Sequence, residues 1–283
     1  MITLNDLQRR QLGAFSRNRV AVAGAILTIL LFLIALFANS LSPYDPLEQN
    51  VFVRLTRPEL THLLGTDDYG RDILSRTIWG SHVSLAVGIG SVVLGMPMGS
   101  LMGMIAAFEG GRAGNLIMRM VDIMLCLPAE IFGIMILIVL GQGLDKLIIS
   151  LGIVMTPRFA RMSYGSTLSI KERDYIQAAR ALGTKKPRII ILHILPNILG
   201  EILVMSSLWT ATAIRVEANL SFLGLGVAPP TPTWGNMVRE GVNQLTIAPW
   251  MSVFPGLAIM LAVLAFNLIG DGLRDVMDPK LQS

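Results

Sequence analysis

The sequence predicts an all-α integral membrane protein with six transmembrane helices, and three observations predict it. First, 53% of the 283 residues are hydrophobic and 15% charged, with a mean hydropathy of +0.62, whereas an ordinary soluble domain is about 25% charged. Second, the apolar residues fall into six runs, most of them near the ~20 residues that a spanning helix needs, without the alternation of barrel strands. Third, Lys and Arg gather at the ends of those runs instead of forming a basic soluble face. A net charge of +4 therefore does not point to nucleic acid.

The first run, Val20 to Tyr44, holds no charge between Arg19 and Asp45. It outlasts the apolar core of a signal peptide, and Leu36-Phe37-Ala38 is a poor cleavage site, so it reads as an uncleaved first span. The second, Val83 to Phe108, is rich in Gly and Met; Gly88, Gly90, Gly95 and Gly99 with Pro97 predict close helix packing or a kink. The third, Ile123 to Leu140, contains Pro128 and Glu130. The fourth, Leu147 to about Ser163, is short in its uncharged part and ends in Arg158 and Arg161. The fifth runs from Ile194 to Ile214 with Glu201 near its start, and the sixth from Ile247 to Gly270, followed by Asp271.

Orientation follows from the basic residues. With the N-terminus inside, sixteen of the 23 Lys and Arg residues fall on inner segments, among them Arg9, Arg10, Arg17 and Lys280 at the chain ends. Both termini are then cytoplasmic. The stretch from Asp45 to Arg76, with Asp45, Glu48, Glu59, Asp67, Asp68 and Asp72, is expected to form an acidic extracytoplasmic surface, and Trp234, after the Pro- and Gly-rich segment from Gly224, to sit at the interface. The domains follow: 1–80 for the N-terminal segment, first span and outer loop; 81–275 for a five-helix core; and 276–283 for a cytoplasmic tail.

On this topology, residues 164–193 form the longest cytoplasmic loop and hold half of the inner positive charge. Within "DYIQAARALGTKKPRIIILHILPN", Tyr175, Ala178, Ala179 and Leu182 recur at i, i+3, i+4, i+7, one stripe of a helix. Gly183 suits a left-handed C-cap, Thr184 can cap a second helix, and Pro187 is tolerated in that helix's first turn. A helix, an elbow and a helix result. Physics alone leaves two readings open: a partner-docking pair, or a basic segment that enforces orientation and touches anionic lipid.

The order of residues in this stretch resembles the cytoplasmic loop of bacterial ABC-importer permeases, written E-A-A, three residues, G, nine residues, I-x-L-P. Gln177, Ala178, Ala179, Gly183, His193, Leu195 and Pro196 occupy that spacing, with Gln177 in place of Glu and His193 in place of Ile. "SPYDP" (Ser42 to Pro46), "GTDDYGRDILSRTIWGSHVSL" (Gly65 to Leu85), "MRMVDIML" (Met118 to Leu125), "SFLGLGVAPPTPTWGNMV" (Ser221 to Val238) and "NLIGDGLRDVMDP" (Asn267 to Pro279) are similar to the dipeptide, oligopeptide and nickel branch, specifically its C-type subunit. The resemblance implies a type I importer permease (MetI-like) core with an extra N-terminal span, in the bacterial inner membrane. It implies that the loop, 164–197, couples to cytoplasmic ATPases. It also implies partners: a second homologous permease, two ATPase subunits, an extracytoplasmic solute-binding protein and membrane lipid.

The chain has no G-x-x-x-x-G-K-[ST] loop, so ATP and Mg are expected on the partner ATPases, with no cofactor or catalytic residue here. The lone Cys126 and the scattered His62, His82 and His193 offer no metal site. Glu130 and Glu201 fall within spans, where an ionisable group usually faces an interior or a water-filled cavity. With Arg215 and Glu217, two residues apart and therefore aimed differently, they are the possible pathway or gate residues. Asp271, Arg274 and Asp275 close the sixth span, and the sixteen Met residues read as packing. An alternative is an ion-coupled secondary transporter using Glu130 and Glu201, against which stands the absence of a repeated half. An intramembrane enzyme lacks a nucleophile–base or H-E-x-x-H constellation.

Overall fold

The computed structural model describes residues 15, 16 and 18–277, all helix and connecting turn apart from a single bridge between Thr66 and Asp72. The basic residues expected at the inner ends of the chain, Arg9, Arg10, Arg17 and Lys280, lie outside the described residues, as does nearly all of the 276–283 tail.

Helix α1 (Arg19–Leu36) opens on Asn18, whose side chain accepts from the backbone N–H groups of Val20 and Ala21, satisfying donors that a helix start leaves free. A short turn, α2 (Ala38–Leu41), ends the first apolar run at Ser42. Helix α3 (Ile73–Glu109) is 37 residues long and starts ten residues before the apolar run that announces it. Asp72 sets that start: its carboxylate accepts from the Ser75 backbone N–H at 2.7 Å.

The third apolar run is a broken helix. Helix α4 (Gly111–Cys126) and helix α5 (Ala129–Leu140) meet at Leu127-Pro128 with a 96° bend; proline disfavours the α conformation at the residue before it. Helix α6 (Leu144–Lys171) is 28 residues, about 42 Å. It continues well past Ser163, so much of the expected loop is helix. Helix α7 (Asp174–Ala181) and helix α8 (Lys186–Ile189) follow, and α8 runs through a π turn at Ile190–Ile194 into α9 (Leu195–Phe222). Helices α10 (Trp234–Val242) and α11 (Trp250–Met277) complete the fold.

Four stretches are long and apolar enough to cross a membrane: α1, α3, α8 through α9, and α11; the bent pair α4/α5 makes a fifth if it is one span. Helix α6 does not meet that measure because its middle is polar, yet it packs more extensively than any other element against α3. Glycine makes this possible. A Cβ on Gly95, Gly99 or Gly103 would lie 2.6, 2.2 and 2.2 Å from the carbonyl oxygens of Gly152, Thr156 and Ala160. The two backbones touch along a small-xxx-small ridge.

In the loop from Asp45, three of the acids expected at its surface, Asp45, Glu48 and Glu59, are exposed, but those nearest α3 are not. Asp67, Asp72, Arg71 and Arg76 are all buried. Arg71 Nε meets Asp67 at 2.6 Å; Arg71 and Arg76 both reach Glu240 of α10, at 3.0 and 3.3 Å; and Arg76 donates to the Pro46 carbonyl at 3.3 Å. Buried ions persist only when paired, and this network clamps the loop to α3 and α10. Trp234, expected at the interface, is 1% exposed; its ring packs on Gly80, and its indole N–H donates to the Thr77 carbonyl at 2.9 Å. A tight α3–α10 contact with an internal acceptor outweighs the interfacial preference.

Candidate functional site: a braced loop and a polar face on α6

Helix α7 has eight residues, too few to be stable alone. Ile176 anchors it. That side chain is fully buried against Met104 of α3, Ile170 of α6 and Ile189, Ile190 and Ile194 after the elbow. The i, i+3, i+4, i+7 spacing picks out Tyr175, Ala178, Ala179 and Leu182 and leaves Ile176 off the stripe. Of that stripe only Ala179 packs against the core; Tyr175 is 42% and Leu182 85% exposed, and Ala178 and Gln177 are exposed too. Helix α7 is thus anchored on its apolar side chiefly by Ile176 and presents Tyr175, Ala178 and Leu182 outward. The signal was available: Ile176 is the one aliphatic side chain within 174–181 besides alanine.

Gly183 ends α7 with φ +75°. The Thr184 N–H bonds to the Ala179 carbonyl at 3.1 Å and the Gly183 N–H to that of Arg180 at 2.9 Å, the paired bonds of a Schellman cap. Nothing lies within 4 Å of where a Gly183 Cβ would stand, so glycine answers to backbone conformation here and not to crowding. Lys185, not Thr184, is the N-cap of α8, and no side chain caps it; Pro187 stands in its first turn. His193 lies in the π turn, where its carbonyl accepts from Asn197 at 2.6 Å, and Leu195 and Pro196 open α9.

Three contacts tie this elbow to the end of α3. The Arg180 guanidinium stacks 4.4 Å over the Phe108 ring, Lys186 pairs with Glu109 at 2.7 Å, and Lys171 donates to the Ala107 carbonyl at 3.0 Å. Gln177, where the resemblance has Glu, donates to the Lys171 carbonyl at 3.2 Å; a carboxylate could not make that bond. A push on α7 would be felt at α3, α6 and α9 together.

The second feature is a polar face on α6. Arg158, Arg161 and Gly165, spaced three and four apart, fall on one side of the helix. Arg158 stacks 4.5 Å over the Trp209 ring of α9, within electrostatic reach of Glu130 and Arg215. Glu130, at the start of α5 beside the bend, faces Arg215 of α9 at 3.6 Å, both partly exposed. One step along, Arg161 pairs with Asp122 of α4. Further along, Ser166 hydrogen-bonds Glu201 of α9. Glu130 and Arg215 therefore pair with each other and Glu201 is held separately by Ser166, whereas Glu217, pointing away from Arg215, is fully buried between α9 and Ser84 of α3 and accepts from Ser221 at 2.7 Å. Arg158 and Arg161, read from sequence as the end of a span, sit inside α6. Among the described residues no group of His, Cys, Asp and Glu could hold a metal ion.

The described ends of the chain share one side with the elbow. Asn18 donates to Asp275 at 2.9 Å, and Met277 lies against Gly200 near the start of α9.

Comparison with known proteins identifies the family of the chain. Residues 95–283 match the family described as binding-protein-dependent transport system inner membrane component, and residues 9–58 match the N-terminal transmembrane domain of oligopeptide transport permease C. The chain is 43% identical over 270 residues, 95% of this chain and 90% of the relative, to a glutathione transport system permease protein of Pectobacterium atrosepticum. It is 42% identical over 276 residues, 95% of this chain and 91% of the relative, to a di/tripeptide transport system permease protein of Pseudomonas aeruginosa. A dipeptide transport system permease protein of Alkalihalophilus pseudofirmus is also 42% identical, over 97% of this chain and 90% of the relative. A solved structure of inward-facing methionine ABC transporter MetNI shares the fold, with TM-score 0.56 and 22% identity over 73% of this chain and 97% of that one. These relatives are permease subunits, which supports an importer driven by a separate ATPase over an ion-coupled carrier or an intramembrane enzyme. The chain belongs to the inner membrane components of binding-protein-dependent transport systems, and within them to the C-type permeases of ABC importers.

Proposed function

We propose that this chain forms half of the translocation pathway of an importer for short peptides, and that the 174–197 segment couples it to cytoplasmic ATPases. The observation that carries this reading is the braced elbow: α7 presents exposed Tyr175, Ala178 and Leu182 while Ile176, Arg180, Lys186 and Lys171 fix it to three long helices. An element that is rigid on its inner side and apolar on its outer side suits transmission of a domain closure to helices moving as bodies. Short peptides are the solutes in the names of the di/tripeptide and dipeptide relatives, and glutathione, itself a small peptide, in that of another.

In this reading the chain crosses six times, by α1, α3, the broken pair α4/α5, α6, α9 and α11. Both termini are cytoplasmic, since the described ends lie beside the basic elbow. Residues 1–80 form an appended first span and outer loop around the five-helix core 81–275. A second homologous permease supplies the other half, two ATPase subunits bind ATP and Mg, and a solute-binding protein delivers from outside to the clamped outer loop. The test is co-purification of this chain in mild detergent, followed by reconstitution with the binding protein and ATP. Peptide uptake with both ATPase and permease partners present supports the reading; a chain that purifies alone and moves peptide without ATP overturns it.

A further inference from the structure

Arg158 stands midway along α6, which crosses the bilayer in the topology proposed above, and a guanidinium at that depth faces water or a counter-charge. Its position is built. The planar fork lies on the Trp209 ring, 4.5 Å from its centre, and touches Met155 Sδ at 3.8 Å. Among the described residues no carboxylate comes within ion-pair distance of it. The adjacent carboxylate, Glu130, is engaged by Arg215 at 3.6 Å. Two guanidinium groups thus share one carboxylate, leaving a surplus positive charge.

The backbone adds to that surplus. The break at Leu127-Pro128 sets the start of α5 beside Glu130, and no side chain caps it, so its free N–H groups turn a partial positive charge toward the same place. Non-helical backbone at membrane depth is tolerated inside protein or along a water-filled cavity. The exposed break, the Arg fork without a carboxylate and the exposed Glu–Arg pair lie together on a side of the chain that its own helices leave open.

We propose that Arg158, flanked by Arg215 and Glu130 and held by Trp209, is a transit site that binds the carboxylate of the passing solute. This rests on reading the face as the pathway of a peptide importer. A guanidinium takes a carboxylate through two parallel hydrogen bonds, and stacking on Trp209 fixes the plane of the fork, with only the weak acceptor Met155 Sδ against one of its nitrogens. Glu130 keeps the site from holding its anion too tightly, since its own charge repels it. Beyond Arg158 the same face of α6 continues through Arg161 and Gly165 toward the elbow.

Two experiments on the complete transporter test this. In proteoliposomes with binding protein and ATP, uptake of alanylalanine and of its C-terminal amide is compared for the native chain, Arg158→Gln and Arg158→Lys. Arg158→Gln is expected to lower the kcat for alanylalanine at least tenfold while leaving the amide unchanged, with Arg158→Lys between. Equal losses for both peptides would assign Arg158 to an ion pair with the second permease and overturn the proposal, as would no loss for either. In detergent, N-acetylalanine and its amide are titrated against Trp fluorescence. A saturable change for the acid alone, absent from Trp209→Phe and Arg158→Gln, supports the site; equal responses of all three proteins, or to both probes, reject it. Because this second arm needs no transport, a native transporter that moves neither peptide counts against the proposed solute class while the site is still judged by its fluorescence.

Discussion

Replacing Ile176 by Ala should detach the elbow while leaving the membrane core intact. Its side chain is 0% exposed and is the deepest contact that α7 makes with the cluster of Met104, Ile170, Ile189 and Ile190. Ile→Ala changes in cores cost about 2–5 kcal/mol, spread by how far the site collapses. At about 3 kcal/mol, and ~1.4 kcal/mol per factor of ten, the undocked population of α7 rises roughly a hundredfold. The eight-residue helix has no independent stability to resist this. Hydrogen exchange on the complete transporter in nanodiscs reads the effect directly: amides from 175 to 182 should exchange about two orders of magnitude faster, with those of α3 and α9 unchanged. Transported solute per ATP should fall in the same preparation. Leu182→Ala is the control, since an 85% exposed side chain supports little stability; its exchange should match the native protein. Unaltered exchange over 175–182 in Ile176→Ala would refute the anchoring argument.

Other perturbations address separate parts of the molecule. Gly99→Leu places a Cβ 2.2 Å from the Thr156 carbonyl, backbone that cannot rotate away; overpacking of this kind costs about 1–3 kcal/mol or more, and a thermal melt in detergent should show the loss, with an unchanged melt counting against the α3–α6 contact. Glu240→Gln leaves the buried Arg71 and Arg76 sharing Asp67 alone; breaking buried pairs costs about 3–5 kcal/mol, so limited proteolysis should cut within 45–72 many times faster, and native-like resistance would contradict the clamp. Phe108→Ala with Glu109→Gln removes two of the three ties to the elbow. Each is an exposed contact of about 1 kcal/mol or less, so folding should persist while transport per ATP drops; unchanged coupling would free α3 from the lever. Cysteine at Lys185 should react with impermeant reagent only from the cytoplasmic side, and labelling from outside would invert the topology.

Where apolar runs were long, the sequence located the helices well, because burial in lipid writes itself as length. It failed where function or tertiary contact interrupts that rule. Helix α6 looked short because Arg158 and Arg161 sit in its middle on a polar face, and hydropathy cannot distinguish a loop from a helix that carries charge along one side. Helix α3 began ten residues early because Asp72 and Ser75 start it, a local capping signal that a count of apolar residues passes over. The bend at Pro128 was present in the sequence as a single letter; its 96° angle depends on what α5 packs against.

The candidate site was legible in outline. Gly183 could be assigned from the need for a positive φ, and the glycines of α3 from their spacing. What the spacing could not give was polarity of the elbow itself: Tyr175, Ala178 and Leu182 form a stripe whichever side faces the core, and only the burial of Ile176 decides. Nor could distant pairs be foreseen. Glu130 meets Arg215 across 85 positions in the chain, and Trp234, placed by habit at the interface, found its acceptor on Thr77.

The claim at the centre of this account is that the exposed face of the elbow is where the motor binds. A photoreactive amino acid at Leu182, with the complete transporter assembled in its native membrane, tests it most directly. Irradiation is expected to give an adduct between this chain and an ATPase subunit, with lower yield when Ile176 is replaced by Ala. Adducts with lipid or with the second permease, and none with an ATPase, would contradict it.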